Sequence, residues 1–317
     1  MSVASRKRWS EKRSEQRRLA RESREGSFIQ KPDLPTGELT AEEIIGYMKE
    51  RYQRKVEFEE ARKLIKVKVP ISGPIGIVHF GDPHVDDDGT DWAALERDIK
   101  LVQETEGLFA SNIGDTTNNW VGRLGRLYGQ QATSAKQAWI LAEWFIKSLS
   151  GYWLYMIGGN HDAWSGEGDP LHFITSQTQA LYEPSEARIG LQFPNGKELV
   201  INARHDFAGG SMWNPTHGPM KAAQLGVRDD IVICGHKHKS GYSPLKDPES
   251  GKVMHCLQVA SYKRYDRYAR EKGFRDQSLS PCVVTIINPD ATDPVDFVQV
   301  FWNTETAVRY LKMLRND

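Results

Sequence analysis

The sequence predicts an α/β fold, and two observations carry that prediction. From Leu64 onward, short apolar runs of strand length alternate with amphipathic stretches of helical period. The chemically reactive side chains then fall a few residues beyond the ends of those apolar runs, where layered α/β folds gather their ligands.

Strands are expected near Ile75–Phe80, Leu108–Ile113, Trp153–Ile157, Leu199–Ala203, Ile231–Cys234, Cys256–Ala260, Val283–Ile287 and Phe297–Phe301. Pro194-Asn195-Gly196 is a hairpin turn joining Ile189–Phe193 to the strand at Leu199. Helices are expected near Asp91–Glu104 and Ser134–Ser150. The second carries Ala135, Trp139, Phe145 and Leu149 on an apolar face and stops at Gly151.

Ahead of this region, Thr40-Ala-Glu-Glu43 has the spacing of a capping box. Ile44, Ile45, Met48, Tyr52 and Val56 follow at helical spacing, so a helix, whole or broken in two, is expected to about Lys63. Residues 1 to 26 hold few large apolar side chains and many arginines and lysines, so they cannot form a core. The expected organisation is a basic tail and linker over 1–38, a helical extension over 39–66 and a catalytic domain over 67–317.

Lys plus Arg and Asp plus Glu are 42 each. No net field draws the whole molecule toward a polyanion, and any such attraction must be local. Cys234, Cys256 and Cys282 are odd in number and set in apolar surroundings, so they read as reduced core residues. No apolar run is long enough to cross a bilayer, and the chain is expected to be soluble and cytoplasmic, with no membrane partner.

Five short motifs hold the chemistry. Phe80-Gly81-Asp82-Pro83-His84 puts a carboxylate and an imidazole two residues apart, on one side of an extended turn, a pair suited to iron, manganese or zinc. Gly114-Asp115-Thr116-Thr117-Asn118 offers a carboxylate able to bridge two cations at about 3.5–4 Å. Gly159-Asn160-His161-Asp162 joins an amide oxygen to a histidine, with Asp162 beside it to orient the ring. Arg204-His205-Asp206 and Gly235-His236-Lys237-His238 add three more imidazoles.

Taken singly, each motif has an ordinary structural reading as a turn or a helix cap. The ordered set, each member after a strand, resembles the calcineurin-like metallophosphoesterase superfamily over about Ile75 to His238. The resemblance implies a four-layer αββα sandwich with the motifs meeting at one edge. It implies one divalent ion on Asp82, His84, Asp115 and His238, and a second on Asp115, Asn160, His205 and His236. Manganese is the first expectation for both, ahead of iron, zinc, nickel or magnesium.

Water held between the ions would attack phosphorus, and His161, supported by Asp162, would protonate the leaving group. His217 competes with His205 as the fourth-motif ligand, and His205 is preferred because it directly ends a strand. His79, His172 and His255 read as structural, and Asp86, Asp87 and Asp88 as a solvated acidic loop.

The substrate is expected from the loops. The second motif lacks the Asp-Arg-Gly ending seen in the superfamily's protein phosphatases, which leaves Asn118 as the expected phosphate contact through its amide N–H groups. The basic tail and a second basic segment, Lys263, Arg264, Arg267, Arg270, Lys272 and Arg275, suit DNA or RNA if they are more than solvated surface. A phosphodiesterase acting on nucleic acid is the leading expectation. A small-molecule phosphomonoesterase or nucleotide phosphodiesterase is the alternative, with a non-catalytic scaffold behind both. Trp120, Trp164 and Trp213 are the aromatic residues expected to line the cleft.

Overall fold

The structure, a computed structural model, describes residues 12–19, 39–120, 122–162, 170–271, 273, 275 and 281–316. It divides into two compact units, residues 1–57 and 58–317. Of the expected tail, residues 1–11 and 20–38 lie outside the described residues.

In the first unit, α1 covers residues 12–19, and α2 (Ala41–Arg62) starts there and is unbroken. Its capping box is formed: the Thr40 N–H donates to Oε2 of Glu43 at 2.8 Å, and the Glu43 N–H to Oγ1 of Thr40 at 3.3 Å. No residue of α2 is buried, so the apolar spacing of Ile44, Ile45, Met48 and Tyr52 reports helical periodicity without a packed face.

The second unit holds two six-stranded mixed sheets. One has the order β12-β11-β2-β3-β4-β5 and the other β1-β6-β7-β8-β10-β9. In the first, β2 (Ile75–Phe80), β3 (Leu108–Asn112), β4 (Trp153–Ile157) and β5 (Leu181–Glu183) run parallel, while β11 (Val283–Ile287) pairs antiparallel with both β2 and β12 (Val298–Phe301). In the second, β7 (Glu198–Arg204), β8 (Ile231–Cys234) and β10 (Val253–Gln258) run parallel. There β6 (Glu186–Gln192) forms the expected hairpin with β7, β1 (Ile65–Lys68) lies beyond β6, and β9 (Gly241–Lys246) closes the far edge.

Alternation along β2 explains the layering. Ile75 and Ile77 face the second sheet, where they pack with Ile189, Ile201, Ile231 and Leu257. Val78 and Phe80 face the opposite way, onto α3 (Trp92–Glu104), α4 (Ala135–Ser148) and α8 (Thr304–Arg315) through Leu95, Phe145 and Leu311. On the outer face of the second sheet, Val232, Cys234 and Cys256 pack against Ala223 of α6 (His217–Leu225). The layer order is therefore helix, sheet, sheet, helix, as expected.

Both central helices begin where their caps put them. Asp91 accepts from the Ala94 N–H at 3.1 Å, and Ser134 forms a capping box with Gln137. The three cysteines are free and buried. Among the described residues no helix is long and apolar enough to cross a membrane.

Candidate metal centre

Because β2, β3 and β4 are parallel in one sheet and β7, β8 and β10 are parallel in the other, each set sends its carboxyl ends to one edge. The loops beyond those ends are hydrogen-bonded to one another. The His84 N–H donates to the Asp115 carbonyl at 3.1 Å, and the Gly235 N–H to the His205 carbonyl at 3.1 Å. The five motifs meet there.

Their donors fall into two groups. In one, Nε2 of His84 lies 3.3 Å from Nε2 of His238, which is 3.5 Å from Oδ2 of Asp82. In the other, Nε2 of His205 lies 3.1 Å from Oδ2 of Asp115, 3.0 Å from Oδ1 of Asn160 and 3.1 Å from Nδ1 of His236. Asp115, His205 and His236 are close enough to share one ion. His217 stands exposed at the start of α6 and is not part of that group.

The donor set fits cations on three counts. Both carboxylate oxygens of Asp82 and Nδ1 of His84 are buried with no hydrogen-bond partner among the described residues, an arrangement that is costly unless a cation answers it. The facing imidazole nitrogens offer lone pairs to a common point. Proton affinities say the same: burial works against a charged His205, yet the Asp115 and Asp82 carboxylates outweigh it and raise its pKa to about 10. Burial likewise raises Asp82 to about 7, although His205 and His238 pull it down. Burial instead lowers His84 and His236, which keeps these two imidazoles neutral with lone pairs free for a metal.

The backbone is shaped for the same purpose. Of the seven non-glycine residues with positive φ among the described residues, five are expected ligands: Asp82 (35°), His84 (41°), Asp115 (50°), His236 (69°) and His238 (48°). Such conformations cost about 1–3 kcal/mol each and persist only where the surroundings enforce them. Two motif glycines are required by close approach. A Cβ on Gly114, whose φ is +109°, would strike Nδ1 of His205, and one on Gly159 would strike Oδ1 of Asp115.

His161 is poised at the junction. Its backbone N–H donates to Oδ1 of Asp115 at 2.9 Å, and its ring packs edge-on to His84 and Trp120. Nδ1 donates to the Asn118 carbonyl, which fixes the tautomer and leaves Nε2, 4.0 Å from Oδ2 of Asp115, as the nitrogen that can exchange a proton.

Several expectations are corrected here. Asp162 does not orient the His161 ring; its oxygens accept from the Thr116 N–H at 2.9 Å and the Gly159 N–H at 2.8 Å, so it braces two motif loops. Burial and the nearby Asp115 charge raise its pKa to about 8. Asn118 does not offer its N–H groups to a phosphate, because it is fully buried and donates them to Asp86, Asp87 and Gln131. Asp86 is a buried brace rather than part of a solvated loop, accepting from Asn118 and Gln131.

Lys263, read with the solvated basic segment, is only 3% exposed. Arg264 pairs with Asp91 at 3.1 Å, and Lys272 lies outside the described residues. Trp120 is buried at the site and donates to Gln131 at 2.7 Å, Trp213 is exposed, and Trp164 lies outside the described residues. His79 is structural as expected, hydrogen-bonded to Ser111 and Thr285, and His255 stacks on Tyr242.

A cavity of about 580 Å³ opens over the centre. His84, Asp115, Asn160 and His161 form part of its lining, together with Trp120 and the cations Lys237, Lys239, Lys263, Arg264 and Arg275.

No protein-family model and no curated protein matches the chain. Among solved structures it is similar to the calcineurin-like phosphoesterase YfkN from Bacillus subtilis, at 12% identity over 77% of this chain and 100% of that one, with a TM-score of 0.38. It is similar also to the NAD nucleotidase NadN from Haemophilus influenzae, at 10% identity over 73% of this chain and 50% of that one, with a TM-score of 0.38. A predicted phosphoesterase from Streptococcus pneumoniae TIGR4 aligns at 13% identity over 74% of this chain and 100% of that one, with a TM-score of 0.32. The functional reading rests on the motifs and the geometry of the centre.

Proposed function

We propose that the chain is a calcineurin-like metallophosphoesterase that hydrolyses phosphate esters, and that its substrate is a phosphodiester in nucleic acid. The observation that carries the reaction class is the convergence of seven donor residues from five strand ends, the buried carboxylate of Asp82 among them, into two adjoining groups. Asp82, His84, Asp115 and His238 would hold one divalent cation, and Asp115, Asn160, His205 and His236 the other. When bound, two such ions supply an acidified water and positive charge for the phosphoryl oxygens.

His161 presents Nε2 to the leaving-group oxygen as proton donor, while the Asn118 carbonyl keeps Nδ1 protonated throughout. Asp162 and the two motif glycines hold the Asp115 and Asn160 loops at contact distance. Trp120 closes the floor beside His161 and excludes water from that side of the ring.

The nucleic-acid reading is supported by Lys239 and Arg275 in the cavity lining, where Lys237, Lys263 and Arg264 are each paired with a carboxylate. The size of the cavity favours a second reading, a nucleotide-sized phosphomonoester or diester, since sites for small ligands run to roughly 300–1,000 Å³. The test is turnover with manganese of bis-p-nitrophenyl phosphate and of single- and double-stranded DNA, against p-nitrophenyl phosphate. Hydrolysis of the diester and DNA is expected, and activity confined to the monoester would overturn the nucleic-acid reading.

A further inference from the structure

Lys263 is among the least exposed charges in the chain, and burying an ammonium costs several kcal/mol unless it is paired. Its Nζ lies 2.8 Å from Oδ2 of Asp87 and 3.4 Å from Oδ1 of Asp266, and it stands over the Trp120 ring, 4.9 Å from the centroid. The segment that carries it is tied to the loop after β2: Lys263 bridges Thr90, the Arg264 N–H donates to the Gly89 carbonyl at 3.0 Å, and Ser261 Oγ donates to the Asp82 carbonyl at 2.6 Å.

Each of its two carboxylates also reaches the centre. Oδ2 of Asp266 lies 3.6 Å from Nδ1 of His238, on the ring whose Nε2 faces Asp82. Oδ2 of Asp87 accepts from Nδ2 of Asn118 at 2.7 Å, and the Asn118 carbonyl holds Nδ1 of His161. One buried cation thus joins, through two carboxylates, the residue read as a metal ligand to the residue read as the proton donor.

The geometry points to Lys263 as a positioning residue that fixes the His238 and His161 rings together through Asp266 and Asp87. This inference rests on the phosphoesterase reading and adds to it a residue outside all five motifs. Without the ammonium, Asp87 and Asp266 lose their common counter-charge and are free to rotate, Asp266 away from Nδ1 of His238 and Asp87 away from the amide of Asn118, the residue whose backbone carbonyl holds Nδ1 of His161.

The experiment compares the full chain with Lys263→Met, Lys263→Arg, Asp266→Asn and the Lys263→Met/Asp266→Asn double variant. Manganese affinity is measured by calorimetry, and kcat and KM on bis-p-nitrophenyl phosphate. Lys263→Met is expected to weaken manganese binding and lower kcat by about 10- to 100-fold with KM within about threefold.

Lys263→Arg should recover part of both losses, and the double variant should be no worse than the poorer single, because the residues act through one network. Should Lys263→Met not fold, Lys263→Arg and Asp266→Asn carry the same comparison. A raised KM at unchanged kcat would make Lys263 a substrate contact and overturn the proposal, as would unchanged manganese affinity in Lys263→Met and Asp266→Asn. Calorimetry needs no turnover, so a chain that binds manganese as expected but hydrolyses neither ester refutes the reaction class and leaves the positioning role measured.

Discussion

Nε2 of His205 and Oδ2 of Asp115 lie 3.1 Å apart, although 90 residues of chain separate them, and each comes from the end of a strand in a different sheet. The contact sits where the two sheets' carboxyl edges meet. It makes His205, rather than His217, the imidazole beside the carboxylate read as the bridge.

His205→Ala is therefore expected to lose one of two manganese equivalents and more than about 100-fold in kcat. His217→Ala should keep both ions. Metal analysis of the purified variants checks this, and full occupancy in His205→Ala would refute the assignment.

His161→Gln should retain its metal and lose about 10²- to 10⁴-fold in kcat on esters with a poor leaving group. The loss should shrink on p-nitrophenyl esters, whose leaving group needs little protonation. Rate constants across leaving groups of graded pKa measure this; an equal loss on all of them would remove the proton-donor role.

Asp162→Asn should act on stability. Its two oxygens each accept a backbone N–H, and an asparagine offers one oxygen, so one buried amide is left unpaired at a cost of about 1–3 kcal/mol. Thermal and urea unfolding of the metal-free chain read it. A variant as stable as the parent would show that the brace is dispensable.

Acid should weaken the fold through His79. Burial lowers its pKa from 6.5 to about 3, so between those values the unfolded chain binds a proton that the folded chain refuses. The unfolded state then holds more protons, stability rises with pH across that window, and it is lost as pH falls, by up to about 1.4 kcal/mol per unit. His255, lowered by burial to about 4, adds to the same trend. Unfolding free energies from urea titrations at pH 4.5 and 6.5 should lie closer together in His79→Gln than in the parent by about 2 kcal/mol; an unchanged gap would show that His79 is not the titrating group.

Much of the fold and most of the centre were legible in the sequence. Runs such as Ile75–Phe80, Trp153–Ile157 and Ile231–Cys234 coincide with observed strands, because a buried strand needs a continuous apolar run and little else. β1, β5 and β9 carry no such signal. They are short or lie at sheet edges, where one face meets solvent and the pattern is diluted. α8 lies outside the expected elements, although its buried Ala307, Val308 and Leu311 recur at helical spacing.

The ligand-type residues could be found because each motif is local: an acidic, amide or imidazole side chain next to a glycine at the end of an apolar run. What those residues touch is not local. The Asp162 carboxylate turns from His161 to the Thr116 and Gly159 amides, Asn118 spends its N–H groups on Asp86, Asp87 and Gln131, and Lys263 is drawn inward from a basic segment to Asp87 and Asp266.

By itself, then, the sequence determined the α/β class, the positions of the central strands and the side chains that can bind metal, since these follow from periodicity and from chemistry within a few residues. Only the tertiary structure decided which imidazole stands beside Asp115, which carbonyl fixes His161 and which charge is buried to hold them. Those choices depend on the pairing of strands more than two hundred residues apart in sequence, such as β2 with β11, and no local pattern encodes that pairing.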